Sequence, residues 1–523
     1  MASENNVIQR NENVPKSDLR YIRPMRGRFT HKRVSTLMED IYGFEEFEAM
    51  KDAGVDRRMM FGINPHYQAL VTGEELCDNH GNVLIPKMPP SLPIAALILP
   101  RLNEMFSIEG AKDPSNQMNF TPGDNDLHGK LLHKYDEIVL GYASPTCSAH
   151  CRYCYRLDLF NKDTGKISVR PEELRDYILD YNRKLEKNGG IDPKNGEKRY
   201  PIRELLLSGG DIMVLPNQTL YKFAAAAGQA GVSLLRFGTK EIAFRPERFD
   251  EAMAETFRII HAEFPHMHIN IVSHFTHPDE FLVRDAENNY IPNTNGPGYQ
   301  WMDISKEAVE RILAHSFISV ENQTPIILKV NDDERSLRVL HEELRRMGVK
   351  PKYIFQGRDI EGHKAFSLPV EQAWKIHNNA MKGLSDTARS RFAMSTEWGK
   401  MEIVSIIDPL SNDAFNFNFL PLAIQDTFKE ILGDGLIVFK SHRSPHQARS
   451  QGDLIIAKRN PEALWISAYE DRIIYDTRKQ DGQKYDGLIS LLMGYFGENY
   501  IEQIQKRMPG ASMTKALEAV SAA

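Results

Sequence analysis

Ser144-Pro-Thr-Cys-Ser-Ala-His-Cys-Arg-Tyr-Cys-Tyr-Arg156 gathers three of the chain's four cysteines, Cys147, Cys151 and Cys154, into eight residues. The spacing C-x3-C-x2-C puts three soft thiolates on one short loop, close enough to face a common metal centre. A four-iron cluster held by three thiolates keeps one iron open, and an open iron can take a small molecule through an amine and a carboxylate. The competing reading is a non-enzymatic zinc module, Cys3His, with His150 as fourth ligand. Structural zinc sites usually join two separated knuckles, and this chain has one loop and no second CxxC. Cys77 stands alone and reads as an ordinary reduced cysteine.

The loop follows an apolar run, Glu137-Ile-Val-Leu-Gly-Tyr-Ala143, and from there strand-length runs alternate with helix-like stretches. The later runs are Glu204-Leu-Leu-Leu-Ser208, Ser233-Leu-Leu-Arg-Phe237, His268-Ile-Asn-Ile-Val-Ser-His274, Ile318-Ser-Val-Glu-Asn-Gln323 and Lys352-Tyr-Ile-Phe-Gln356. Amphipathic spacing predicts helices over 171–185, 219–231, 246–264, 306–315 and 334–347, the last stopped by Gly348. Six such repeats imply parallel strands joined by crossover helices, an α/β partial barrel or open sheet. In such folds chemistry collects at the carboxyl ends of strands. Ser208-Gly209-Gly210-Asp211 follows the second run: the glycines would let backbone approach a ligand, and Asp211 can accept from an ammonium. His274 and Gln323 close the fourth and fifth runs, and His277 reads as a cap for the turn before Pro278.

The 523 residues are 41% hydrophobic and 26% charged, as in ordinary globular proteins. No apolar run reaches membrane-spanning length, and MASENNVIQRNEN lacks the apolar core of a signal peptide, so a cytoplasmic protein without a membrane partner is expected. Clustered cysteines argue against a disulfide framework. A net charge of −6 gives no electrostatic reason to expect nucleic acid. Four segments are expected: a disordered N-terminus (1–20), a largely helical segment (21–134) with a helix over 33–42, the sheet domain (135–411) and a small α+β appendage (412–523). The polar interruption 281–302 is a place for a lid or an oligomer contact.

With Tyr153 ahead of the last cysteine, the loop resembles that of the radical S-adenosylmethionine superfamily. The fuller string CSAHCRYCYR, with Arg152 after the second cysteine and Arg156 two after the third, is similar to the lysine 2,3-aminomutase branch. The resemblance runs from about Lys112 to about Lys400. It implies a partial (β/α)6 TIM-like barrel of radical SAM type, with an N-terminal helical segment and a small C-terminal appendage. It implies a 4Fe-4S cluster on Cys147, Cys151 and Cys154, and S-adenosylmethionine held by Tyr153, Ser208, Gly209, Gly210, Asp211, His274 and Gln323. It also implies pyridoxal 5′-phosphate joined to Lys400 as a Schiff base with Lys134 nearby, and Arg156 on the substrate carboxylate. The implied activity is an isomerase that uses a 5′-deoxyadenosyl radical to move an amino group between the α and β carbons of an amino acid. An electron donor such as flavodoxin or ferredoxin would supply the cluster, and a homo-oligomer is compatible with the pattern.

The sequence also departs from the family pattern. Ser395-Thr-Glu-Trp-Gly-Lys-Met401 stands where the family carries a glycine run ending in its lysine, with Glu397 and Trp398 in place of glycines. His133-Lys-Tyr-Asp-Glu-Ile138 has Lys134 and Ile138 where two arginines are usual, which weakens an anion site. Lys400 in a confined site can still have its pKa lowered and become an amine nucleophile. Lysine-specific members hold the distant ammonium with two aspartates, and the matching positions are Arg358 and Ala393. A like-charge contact at about 4 Å would cost up to about 4 kcal/mol at an effective dielectric of roughly 20, so free lysine is disfavoured. Arg358 suits the carboxylate of an acidic amino acid or another anion. A register shifted by one would place Asp359 there and reverse that inference. The alternative is an enzyme without pyridoxal phosphate, in which Lys400 and Arg358 bind an anionic small molecule directly.

Overall fold

A computed structural model describes residues 7–17, 24–106, 109–123, 127–156, 168–408 and 433–477. Parts of the expected disordered terminus (1–6, 18–20) and of the expected appendage (412–432, 478–523) lie outside the described residues. The chain forms two compact units. One comprises Met1–Glu402, His442–Gln451 and Pro461–Ile466; the other comprises Ile403–Ser441, Gly452–Asn460 and Ser467–Ala523.

The first unit is an α/β layer structure. Its sheet opens with β1 (Leu131–Tyr135), antiparallel to β2 (Ile138–Ser144). From β2 the strands run parallel and in sequence order: β3 (Glu204–Gly209), β4 (Leu234–Thr239), β5 (His268–Ser273), β6 (Ile318–Pro325), β7 (Lys350–Phe355) and β8 (Arg391–Thr396). The chain then reverses into β9 (Gly399–Ile407), which sets Ser395 opposite Lys400. Among the described residues the sheet is open and no pairing closes it into a barrel. β8 makes seven parallel strands where six apolar runs were legible. It pairs with β7 over three residues, Arg391–Ala393, and too few apolar residues lie in it to read as a run.

The period of two along a strand decides what faces the site. In β3, Leu205 and Leu207 are fully buried in the core, whereas Leu206 and Ser208 line a cavity. In β4, Leu235 and Phe237 enter the core and Arg236 and Gly238 the cavity. Each such core side chain contributes about 1.5–3 kcal/mol on burial, enough to fix the register and hence the polar set on the opposite face.

The crossover helices have local causes. Pro171–Lys187 begins with Pro at its first position and Glu173 accepting the Arg170 N–H at 2.8 Å. Glu251–Glu263 is capped by Asp250, and Glu334–Arg346 by Asp333, with Gly348 in the left-handed region (φ +85°) after its end. Asn217–Gln229 is alanine-rich because it packs tightly; a Cβ at Gly228 would fall 2.2 Å from the Phe264 ring.

The N-terminal elements build a second core in the same unit. Helices Lys32–Tyr42, Phe44–Ala53, Pro65–Thr72 and Leu92–Ile98 bury Phe47, Met50, Leu70 and Leu97, together with Ala149 of the cysteine loop. The polar stretch after β5 is anchored at both stems: Leu282 bridges to Trp301, and Phe281 lies 4.2 Å from the Trp301 ring. His277 caps the turn Pro278–Glu280 by accepting the Asp279 N–H at 3.2 Å, as its position implies.

In the second unit, residues 436–441 of β10 (Leu436–Arg443) form an antiparallel ladder with β11 (Leu454–Lys458) and β12 (Ile473–Asp476). Tyr469 packs edge-on against Phe439 at 5.3 Å. No described helix is long and apolar enough to cross a membrane.

Candidate active site

A cavity of about 430 Å³ lies at the carboxyl ends of the parallel strands. The site residues that the resemblance implies line it: Cys147, Cys151, Tyr153, Cys154 and Arg156 from the loop after β2, Ser208, Gly209, Gly210 and Asp211 after β3, His274 after β5, Gln323 on β6, and Lys134, Arg358 and Lys400. Ala393 and Asp359 are not among its lining residues. Arg358 is therefore the one of the three compared positions that meets the cavity, and the shifted register has no support.

The cysteine loop is held from behind. The His150 N–H donates to Gly62 O at 2.8 Å and its ring Nδ1 lies 2.9 Å from Met60 O, while a Cβ on Gly62 would strike that ring at 2.8 Å. His150 is thus packed on the N-terminal strand and does not line the cavity. Among the described residues no three His, Cys, Asp or Glu side chains close around a single ion. Thiols that share a cavity without closing on one point suit a multi-iron cluster better than a lone zinc. Burial pushes the Cys151 thiol up to about 12, so metal binding there would displace a proton.

The glycines after β3 serve backbone approach, but to a different neighbour than the one expected. Gly209 has φ +140°, and a Cβ there would lie 2.1 Å from Ser144 O. The Gly210 N–H donates to Ser144 O at 2.6 Å and the Asp211 N–H to Thr146 O at 2.7 Å. The Gly-Gly pair therefore zips the end of β3 onto the entry of the cysteine loop. Asp211 has four donors already: Met213 N–H (2.9 Å), Thr239 Oγ1 (2.7 Å), Lys240 N–H (2.6 Å) and Glu241 N–H (3.2 Å). Four donors fill the acceptor positions of a carboxylate, so Asp211 organises the strand ends. Burial, and then Glu241, push its pKa up to about 7.

A buried polar chain, unread in the sequence, runs behind Tyr153. Its hydroxyl is 2.9 Å from His274 Nε2, and burial and nearby Lys240 hold that imidazole neutral. Lys240 Nζ donates to His274 O (2.8 Å), Thr276 Oγ1 (2.9 Å) and Glu280 Oε1 (2.7 Å), and the Tyr67 hydroxyl donates to Glu280 Oε1 at 2.6 Å. Lys240 directly follows β4, so the strand-end rule that found Asp211 applies to it as well.

The remaining wall is cationic. Lys134, Arg156, Arg236, Lys240, Arg358, Lys400 and Arg443 line the cavity, and Asp211 is the one acidic lining residue among the described residues. Arg156 donates to Gly209 O at 2.8 Å, but its Nε and Nη2 are buried with no hydrogen-bond partner among the described residues, as is Nη1 of Arg358. The two guanidinium groups lie 5.0 and 4.3 Å from the Tyr155 ring. Lys134 donates to Thr396 O; burial and then Arg358 push its pKa down to about 7. Lys400 Nζ sits over the Tyr353 ring at 4.1 Å. Burial, then Arg443, Arg236 and Lys352, hold it far below the usual lysine range.

An open α/β sheet whose strand ends share a cavity with a C-x3-C-x2-C loop is the arrangement that the resemblance to radical S-adenosylmethionine proteins implies. Comparison with known proteins extends this along the chain. It is 27% identical over 424 residues, 80% of this chain and 90% of the relative, to an Aquifex aeolicus protein named "Putative L-lysine 2,3-aminomutase". It is 25% identical over 334 residues to glutamate 2,3-aminomutase of Clostridioides difficile (64% of each chain), and 24% identical over 348 residues to L-lysine 2,3-aminomutase of Bacillus subtilis (66% of this chain, 59% of the relative). No protein-family model matches. Over these lengths the chain is similar to proteins of the lysine 2,3-aminomutase family.

Proposed function

We propose that this enzyme, a radical S-adenosylmethionine isomerase of the 2,3-aminomutase type, moves an amino group between the α and β carbons of an acidic amino acid. The observation that carries the substrate class is in the cavity wall: Arg156 and Arg358 present buried N–H groups with no acceptor, while the one carboxylate among the described lining residues, Asp211, is already saturated. Buried donors without acceptors are costly. Arg156 and Arg358, each with such donors and each against the Tyr155 ring, suit two carboxylates of one substrate. A substrate carrying a second ammonium would meet Arg358 instead.

In this reading Cys147, Cys151 and Cys154 hold the 4Fe-4S cluster. Tyr153, Ser208, Gly209, Gly210, His274 and Gln323 surround S-adenosylmethionine, with Asp211 fixing the glycines. When bound, cluster and S-adenosylmethionine supply a 5′-deoxyadenosyl radical after one electron arrives from a donor such as flavodoxin or ferredoxin. The residues around Lys400 fit pyridoxal phosphate: the amine is desolvated, aromatic rings of β7 lie beneath it, and cations stand beside it for a phosphate. Held neutral, Lys400 Nζ is nucleophilic at ordinary pH. Enclosure of the site excludes water from a reactive radical. The strand-end cavity supports a partial (β/α)6-type curvature of the parallel strands. A cytoplasmic location and a homo-oligomer are compatible with the reading.

The test is reconstitution with pyridoxal phosphate and an amino-acid panel under anaerobic reducing conditions. Expected are a bound-cofactor absorbance band lost in Lys400→Ala and a β-amino product from glutamate but not lysine. Product formation without such a band would favour the alternative in which Lys400 and Arg358 grip an anionic substrate directly.

A further inference from the structure

The hairpin between β1 and β2 carries an apolar residue, Ile138, in the cavity wall next to Lys134 and Tyr135. A cation comes back to that spot from far along the chain. Arg443, in the segment His442–Gln451 of the same unit, lines the cavity, and its guanidinium lies over the Tyr135 ring at 4.5 Å. Its Nη2 donates to Glu137, the residue preceding Ile138, and Gln447 donates to the other oxygen of that carboxylate. The side chain is 21% exposed, toward the cavity it lines. Among described residues Glu137 is its one ion-pair partner.

The same segment explains the surviving glycine of the hairpin between β8 and β9. Gly399 has φ +111°, and a Cβ there would lie 1.9 Å from Arg443 O. Gly399 is therefore needed where the backbone of residue 443 crosses the hairpin, immediately before Lys400. Of the other cations near Lys400, Arg236 and Lys352 share Glu321: Lys352 Nζ lies 2.8 and 2.7 Å from its two oxygens, and Arg236 Nη2 donates to Oε1. Arg236 is further engaged by Asn270 and Glu204, which leaves Arg443 as the guanidinium whose fork suits a phosphomonoester.

We propose that Arg443, oriented by Glu137 and stacked on Tyr135, is the phosphate anchor of the cavity, so that a segment far along the chain supplies the anion site that Lys134 and Ile138 weaken. The inference rests on the pyridoxal phosphate reading of Lys400. Its ligand is the phosphomonoester, and the discriminating probe is the same molecule without it, pyridoxal.

The experiment titrates the full-length, cluster-loaded protein with pyridoxal phosphate and with pyridoxal, following cofactor absorbance, for wild type, Arg443→Gln and Arg443→Lys. Wild type should prefer the phosphorylated form. Arg443→Gln should lose about tenfold to a hundredfold in affinity for pyridoxal phosphate, the size of a charge-assisted hydrogen-bond set, with pyridoxal binding unchanged. Arg443→Lys should fall between. Inorganic phosphate should compete with pyridoxal phosphate in wild type and not in Arg443→Gln. Unchanged pyridoxal binding certifies that the variant pocket is intact. Equal pyridoxal phosphate binding by wild type and Arg443→Gln overturns the inference alone, as does parallel loss of both ligands in the variant. Absence of binding of either ligand to wild type overturns it together with the pyridoxal phosphate reading.

Discussion

Replacing Glu104 with alanine should release the cysteine loop from the N-terminal core. Arg152 lies between Cys151 and Cys154, is fully buried, and donates Nε and Nη2 to Glu104 at 3.1 and 2.6 Å. Arg58 Nη1 reaches the same carboxylate at 2.6 Å, and the Arg101 N–H caps it at 2.9 Å. The loop is stitched further by the Arg152 N–H on Leu97 O (3.0 Å) and Arg152 Nη1 on Met59 O (2.9 Å). Without Glu104, two buried cations lose their shared countercharge, which costs about 3–5 kcal/mol. Glu104→Gln keeps the shape and loses the charge, and should cost less, about 1.5–3 kcal/mol. Chemical denaturation of the metal-free protein followed by far-ultraviolet circular dichroism reads the stability loss. Iron bound per chain after anaerobic reconstitution reads loop order. A Glu104→Ala protein within about 1 kcal/mol of wild type, with full iron, would refute the reasoning.

Other substitutions test other links. Gly209→Ala places a methyl against the Ser144 carbonyl at a positive φ and should destabilise by about 3 kcal/mol or more; wild-type melting with intact S-adenosylmethionine binding would contradict this. His341 is buried, with Nδ1 2.6 Å from Leu337 O and Nε2 2.8 Å from Ser390 Oγ, and burial lowers its pKa to about 4. Its contribution is therefore fully present above about pH 6.5 and is lost as pH falls toward 4, by up to about 3 kcal/mol at about 1.4 kcal/mol per pKa unit. His341→Gln should flatten the stability profile over that window, and an unchanged profile would reject the assignment. Arg358→Ala should raise KM for an acidic substrate about tenfold or more with a smaller effect on kcat; an unchanged KM would remove Arg358 from substrate recognition.

The cysteine loop, the six apolar runs and the residues that follow three of them were legible because parallel strands buried on both faces leave continuous apolar signatures. β8 was not, since three pairing residues and a neighbouring hairpin give it no such signature. Asp211 was found, whereas the four donors that fill it and the Ser144 backbone that demands Gly209 are visible only in the structure. Lys240 was reachable by the rule already in use. Arg443 and Glu104 were not, because each meets the site through long-range packing that leaves no local pattern. The polar stretch after β5 read as a candidate lid, yet its stems are core: Phe281 and Leu282 are fully buried.

The central claim is tested most directly by anaerobic incubation of reconstituted protein with S-adenosylmethionine and dithionite, measuring 5′-deoxyadenosine against iron and acid-labile sulfide content. The account predicts a four-iron, four-sulfide protein that forms 5′-deoxyadenosine and methionine, and a Cys151→Ala variant that does neither. Zinc in place of iron, with no 5′-deoxyadenosine, would contradict it.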